Sequence, residues 1–263
     1  MKASVIVPNY RNDRELPAML ASLRKAEAKL GSKVEIVVVD DREGRGLSRA
    51  RNEGLRRVYA APCEDEEYIF FADADDTVRE DFFAKPIARL RETAADICVF
   101  NCSAFRMKRD YNLEGAAAIR EAFARAFLGI GWRDFFSGAM YRNREQAGMW
   151  RFAFRRELLE KGGVWFDEKI RIYEDAPFLM EAAIHAKKVC AIDDVLYDYE
   201  PGAEGIIRKV TGTKAHWEYK REIMKERERL DRLAGGGLRK YFAASQMLGR
   251  LEFLKHLWRG RKK

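Results

Sequence analysis

Four short apolar runs, alternating with stretches of helical periodicity, constrain what this chain can fold into more than any other feature. ASVIVP (3–8), KVEIVVVDD (33–41), EYIFFADADD (67–76) and DICVFNCSAF (96–105) are rich in Val, Ile and Phe. The stretches 14–30, 47–60 and 80–93 between them repeat apolar residues at the spacing of a helix. Asp13 is the expected N-cap of the first helix, and Pro86 is expected to kink the third. Strands apolar on both faces, joined through helices by short loops, predict an α/β fold whose mostly parallel sheet carries helices on both faces. Ligands of such sheets bind beyond the carboxyl ends of the strands. Three of these ends are polar: Pro8–Asn9–Tyr10, Asp40–Asp41 and the acids Asp73, Asp75 and Asp76. A parallel arrangement brings all three to one crevice.

Beyond residue 105 the pattern is less regular. A helix is expected over 115–128, a strand running into a helix over 148–163, a helix from 173 and a late strand over 190–200. A long charged helix (214–234), a Gly235–Gly237 hinge and a final amphipathic helix follow. The expected organisation is a domain over 1–205, with a nucleotide-binding half (1–105) and an acceptor half (106–205). A helical C-terminal extension over 206–263 completes it.

Apolar residues make up 47% and charged residues 35% of the 263, the balance of a globular chain. No apolar run approaches the roughly 18–20 residues of a membrane span. The first residues lack the apolar core of a secretion signal, so a cytoplasmic location is expected. Cys63, Cys98, Cys102 and Cys190 show no CxxC spacing and read as reduced thiols. His185, His216 and His256 form no zinc-ligand pair. The formal net charge of +8 concentrates at the end, where Arg239, Lys240, Arg250, Lys255, Arg259, Arg261, Lys262 and Lys263 face only Glu252. Such a tail can meet phosphates on a membrane or a lipid-linked substrate. Nucleic-acid binding has no motif behind it beyond charge.

Why does a basic chain crowd Asp73, Asp75 and Asp76 at a strand end? Crowded carboxylates repel, and a divalent cation relieves them; capping of the next helix is the plainer reading. Asp40–Asp41 can accept from a base N–H or a ribose hydroxyl, or simply end a strand. Arg51, next to Asn52 in a helix that opens after Gly46, has the planar, permanently charged fork suited to phosphate. Arg49 and Arg56 read as solvated helix charges. Glu174–Asp175 opens a helix, where acids are favourable whatever else they do. Trp150 is either core or an exposed aromatic platform.

VIVPNYRND, IVVVDD, GLSRARNEGL, FFADADD and EDAPF follow in that order, and together they resemble glycosyltransferase family 2, the inverting nucleotide-sugar transferases of GT-A fold. The resemblance spans about residues 3–200 and implies specific roles. Pro8, Asn9, Tyr10, Asp40 and Asp41 would hold the nucleotide. Arg51 and Asn52 would lie near the donor diphosphate and sugar. Asp75 would bind Mn²⁺ or Mg²⁺, with Asp73 on the ribose or the metal. Asp175 would be the general base, Glu174 would hold the acceptor or orient the base, and Trp150 would line the acceptor site. The implied donor is a nucleotide-sugar, UDP-linked by preference, and the acceptor a glycan or a lipid-linked molecule at the inner face of the membrane. The C-terminal helix would meet that membrane, the rest of the chain or a second copy. One departure stands out. The Arg- and Ser-bearing stretch that many members carry after the late strand is replaced by YDYEPGAEGIIRKVTGTK, with Arg208, Lys209 and Thr213 nearby. That keeps open a degenerate domain that only binds. YIFFADADDT also fits a haloacid-dehalogenase-type phosphatase, with Asp73 as nucleophile and Asp75 as acid/base. That family usually carries the motif on its first strand, whereas here two strand–helix units precede it.

Overall fold

The computed structural model of the chain describes residues 1–63, 66–139, 145–200 and 213–260. Strand β1 (Lys2–Asn9) leads through α1 (Leu16–Leu30) to β2 (Val34–Asp40), and α2 (Leu47–Ala60) leads on to β3 (Glu67–Phe71). A two-residue strand β4 (Thr77–Val78) precedes α3 (Ala84–Thr93) and β5 (Ile97–Cys102). Next come β6 (Leu113–Glu114), α4 (Ala116–Phe127), α5 (Trp132–Phe136), β7 (Phe152–Arg155), α6 (Arg156–Gly162), α7 (Asp175–His185) and β8 (Lys188–Asp198). Two long helices, α8 (Lys214–Leu233) and α9 (Arg239–Gly260), end the chain.

The sheet order is β2-β1-β3-β7-β5-β8-β4, with β6 also on β8. β1, β2, β3, β5 and β8 share one direction; β7, β4 and β6 run against them. The parallel α/β expectation therefore holds for the long strands. The antiparallel β7 enters between β3 and β5 and separates two parallel groups. Both faces are covered. Val5, Val7, Phe70 and Phe100 pack on one side with Met19 and Leu23 of α1 and Ile87 and Leu90 of α3. Ile6, Val37, Phe71, Val99 and Phe154 pack on the other with α2, α4 and α7.

Two local expectations change. Helix α1 begins at Leu16 without a side-chain cap, and Asp13 instead accepts a 3.4 Å bond from the Asn9 amide. Helix α3 begins at Ala84, so Pro86 lies in the first turn. There a missing N–H breaks no bond within the helix, so the proline imposes no kink.

Gly54 sets how close α2 comes to the sheet: a Cβ there would lie 2.4 Å from Ile6 Cγ2. The final helix has two apolar sides rather than one. Tyr241 and Phe242 are buried against the domain, while Met247, Leu251, Leu254 and Trp258 are exposed. Among the described residues no helix is long and apolar enough to cross a membrane. Arg208, Lys209 and the terminal Arg261, Lys262 and Lys263 lie outside the described residues.

Candidate active site

The ends of β1, β2 and β3 meet as their register requires, with Asn9 paired to Asp40 across β1 and β2. Asn9 is buried; its Oδ1 accepts from the Asn12 N–H at 3.2 Å, and its amide donates to Asp40 at 3.5 Å. Pro8 is buried beneath it, and Tyr10 is exposed, with the Arg11 guanidinium 5.1 Å from its ring centre. Arg11, Asp13, Asp40 and Arg42 line a cleft of about 210 Å³ beside these strand ends.

The two acids of the Asp40–Asp41 pair separate into different tasks. Asp41 is buried and accepts from the N–H groups of Arg45 (2.9 Å) and Gly46 (2.8 Å). Burial pushes its carboxyl up, but these N–H groups and the Arg45 side chain outweigh that and hold it below the usual range. Asp41 therefore shapes the loop that delivers α2, whose N-cap Gly46 has a φ of 115° that β-carbon-bearing residues rarely adopt. Asp40 faces solvent and pairs with Arg42 at 2.6 Å.

Helix α2 then fixes the segment before α7. Ser48 donates to the Ile170 carbonyl at 2.7 Å. The Asn52 amide donates to the Phe166 carbonyl at 2.9 Å, and its oxygen accepts the Phe166 N–H at 3.0 Å. Asn52 is thus engaged with that segment, not turned toward the β1–β3 crevice. Arg51 is buried, with Nη1 on Glu174 (2.9 Å) and Asp175 (2.5 Å) and Nη2 on Asp73 (3.1 Å). Burial alone would lower its pKa; Asp175, Asp73 and Glu174 outweigh that and hold it charged. One guanidinium so gathers acids from the end of β3 and the start of α7. Desolvation is the main cause that pushes both the Glu174 and Asp175 carboxyls above the ordinary range, with their neighbouring acids opposing Arg51. Asp175 Oδ2 also accepts from the Met149 N–H at 3.3 Å.

The last acids of FFADADD turn back on the sheet because β4 pairs with the end of β8, Val78 opposite Tyr197. The Tyr197 hydroxyl accepts from the Asp73 N–H at 2.9 Å and donates to Asp76 at 2.7 Å. Asp76 is buried, and desolvation pushes its carboxyl up to about 7 despite bonds from the Glu200 N–H and Tyr197. Asp75 projects to solvent, and its carboxyl is pushed up by partial desolvation and then by Asp73. Asp73 and Glu15, both acids, are the charged neighbours acting on it.

Do these acids suit a divalent cation? Among the described residues no three Asp, Glu, His or Cys groups converge closely enough to enclose one. Asp73 and Asp75 nevertheless offer hard oxygen donors. Mg²⁺ and Mn²⁺ commonly take only one or two carboxylates and complete their shell with water and phosphate.

Trp150 is buried, stacked 4.8 Å from Tyr197 with the planes 9° apart, and packed on Phe105 and Tyr199. It packs on Tyr197, the residue whose hydroxyl bonds both Asp73 and Asp76. Sequence reasoning misses Tyr197 and Tyr199, although their alternation in LYDYE at the end of a strand parallel to β5 carries the information.

The sequence model described as "Glycosyl transferase family 2" matches residues 42–159. The uncharacterized glycosyltransferase EpsJ of Bacillus subtilis is 27% identical over 227 residues, which cover 74% of this chain and 60% of that one. The poly(ribitol-phosphate) beta-N-acetylglucosaminyltransferase TarS of Staphylococcus aureus is 24% identical over 78% of this chain and 36% of its own length. The succinoglycan biosynthesis protein ExoO of Rhizobium meliloti is 26% identical over 66% of this chain and 54% of its own. The chain thus spans less than two thirds of the length of these relatives. Among solved structures, TarS 1–349 in complex with UDP-GlcNAc superposes with a TM-score of 0.60 at 20% identity over 92% of this chain and 73% of that one. TarS 1–349 has also been solved with UDP, with a TM-score of 0.58. The GT-A-type α/β fold implied by the motifs is borne out by these likenesses. With the family's motifs standing in order at the ends of β1, β2 and β3 and the sequence comparisons agreeing, residues 42–159 of this chain match glycosyltransferase family 2.

Proposed function

We propose that this chain is an inverting glycosyltransferase that moves a sugar from a nucleotide diphosphate-sugar, UDP-linked by preference, to an acceptor hydroxyl in cell-surface polysaccharide or glycolipid assembly. One observation carries the reading: Arg51 ties Asp73, on the strand-end side, and Asp175, at the start of α7, to a single point. The relatives in polysaccharide synthesis and the UDP-bound TarS structures support it. They favour a transferase over the phosphatase reading of Asp73 and Asp75.

In this reading Pro8, Asn9, Tyr10 and Asp40 bind the nucleotide, and Asp41 holds the loop beside it. Asp75, with Asp73, holds Mn²⁺ or Mg²⁺, which when bound neutralises charge on the departing diphosphate. Asp175 takes the proton of the acceptor hydroxyl as that oxygen bonds to the anomeric carbon. The bond from the anomeric carbon to the diphosphate oxygen breaks, and its electron pair leaves with the nucleotide. One base suffices, since no covalent sugar–enzyme intermediate forms. Glu174, buried beside Asp175, orients the base.

Binding is checked by thermal shift with UDP-N-acetylglucosamine and Mn²⁺. A ligand at a hundredfold its Kd adds about 2.7 kcal/mol of stability, a Tm rise of about 5–10 °C for a chain of this size. Asp75→Ala should lose the part of the shift that needs Mn²⁺. If UDP- and GDP-sugars all leave Tm unmoved with Mn²⁺ present, the transferase reading fails.

The outer side of α9 supports the reading that the acceptor is met at an anionic membrane surface. Met247, Leu251, Leu254 and Trp258, 44–60% exposed, fall within an arc of about 60° at about 100° per residue. Arg250 and Lys255, both exposed, flank that arc on its two sides. An apolar stripe between basic rims suits an interfacial helix, whereas two such faces meeting in a homodimer would oppose like charges. Flotation with phosphatidylglycerol vesicles should retain the protein, and Leu251→Glu with Leu254→Glu should release it. Equal retention of that variant, or self-association in place of flotation, would exclude the lipid surface.

A further inference from the structure

The charged side chain expected at the donor diphosphate is enclosed by protein. Arg51 is 1% exposed. Both terminal nitrogens are taken, Nη1 by Glu174 and Asp175 and Nη2 by Asp73. The Phe166 ring lies 5.3 Å from its guanidinium carbon, and its buried Nε has no acceptor among the described residues. A phosphate could reach this fork only by displacing a group that encloses it; of the three carboxylates Glu174 is buried, and Asp73 and Asp175 are partly exposed. The main chain that carries Arg51 is fixed as well. Gly54 one turn later lies against Ile6, while Ser48 and Asn52 on either side are bonded to Ile170 and Phe166.

We propose that Arg51 is a positioning residue, holding the base Asp175 and the donor-side Asp73 in a fixed mutual relation, and is not a ligand of the diphosphate. This rests on the transferase reading above. The physical need is clear from the charges. Asp73 lies just beyond β3, and Glu174 and Asp175 open α7; these three acids face one cation. Without that cation they repel, and two separate elements are pushed apart at the point where donor and acceptor must meet. A planar fork fixes direction as well as charge, which an ammonium does not. Loss of the fork lets Asp175 drift relative to the donor, and a misplacement of about 1 Å is enough to cost about 10²-fold in rate.

The test separates binding from turnover in Arg51→Gln and Arg51→Lys. UDP affinity is measured by calorimetry with Mn²⁺. Turnover is measured as UDP release from saturating UDP-N-acetylglucosamine. Positioning requires that UDP Kd stay within about threefold of wild type while turnover falls about 10²-fold. Arg51→Lys, which keeps the charge but not the fork, should recover less than a tenth of wild-type turnover. If either variant weakens UDP binding at least as much as it lowers turnover, Arg51 is a phosphate ligand and the proposal is overturned. Should Arg51→Gln fail to fold, Arg51→Lys carries the comparison alone, since it leaves the cluster's net charge unchanged. The wild type is the control on the parent reading. If it neither binds UDP nor releases it from the donor, the transferase assignment falls. If it does both and the variant loses affinity, only the positioning role falls.

Discussion

Asp175→Asn is expected to bind nucleotide like wild type and to lose about 10²–10⁴-fold of transfer, the usual worth of a general base. The substitution keeps shape and removes the proton acceptor. The introduced amide still offers its oxygen to Arg51, so the cluster would lose, besides the 3.3 Å bond that Asp175 Oδ2 accepts from the Met149 N–H, only one charge. That loss relieves rather than aggravates the electrostatics, because Asp73, Glu174 and Asp175 surround a single guanidinium. Stability should therefore hold or rise, and a fall in rate cannot be blamed on unfolding. The pH dependence of the wild type has a definite sign. Desolvation holds the Asp175 carboxyl above the ordinary aspartate range, and only its ionised form accepts a proton. Turnover should thus decline on acidification from a higher pH than an ordinary aspartate would give. The variant's residual turnover should lack that limb. Steady-state rates at saturating donor, alongside UDP affinity, check both. Unchanged transfer in Asp175→Asn would move the base elsewhere, with Glu174 the nearest carboxylate.

Much of this arrangement was legible in the sequence because it depends on local patterns. Continuous apolar runs gave β1, β2, β3 and β5, and the acids at their ends marked the crevice. What the sequence could not carry depends on pairing across long separations. β7 is four residues long, and nothing within it says that it will run antiparallel between β3 and β5. The two-residue β4 and β6 are strands only because β8 offers an edge to each. Side-chain partners did not show for the same reason. Arg51 and Asn52 sit side by side in a helix, and their types suit phosphate and sugar. Apart from Asp73, their partners Glu174, Asp175, Phe166 and Glu168 lie more than a hundred residues away. Trp150 is an aromatic that suits a sugar face, yet Tyr197 and Tyr199 arrive from β8 to enclose it. In α9 the apolar residues were visible, but which side meets protein is decided by the loop at 129–131.

That loop yields the second large effect. Gly131→Ala should lower Tm and loosen the last two helices. Gly131 has a φ of −83° and ψ of 166°, a conformation alanine accepts, so backbone strain plays no part. Space does. A Cβ at this position would lie 1.9 Å from the Lys240 carbonyl oxygen and 3.3 Å from Tyr241 Cα. Those are backbone atoms in the first turn of α9, and they cannot rotate aside. The Ser245 N–H also donates to the Ile130 carbonyl at 3.0 Å, so the helix cannot slide along the loop without losing that bond. Overpacking typically costs about 1–3 kcal/mol, here about 2–12 °C in Tm. The effect should reach the site. Arg229 of α8 bonds Glu181 of α7 through Nη1 at 3.0 Å and again through Nη2, and Asp175 begins that same α7. Helices α8 and α9 pack together, so displacing α9 pulls on Arg229 and leaves the buried Glu181 without its cation. Transfer should then fall along with Tm, while trypsin cuts α8 and α9 sooner than the sheet domain. Lys240→Ala is the control: it removes a side chain and leaves the carbonyl that makes the contact, so its Tm should match wild type. A Gly131→Ala variant as stable and as protease-resistant as wild type would mean that α9 does not sit on this loop.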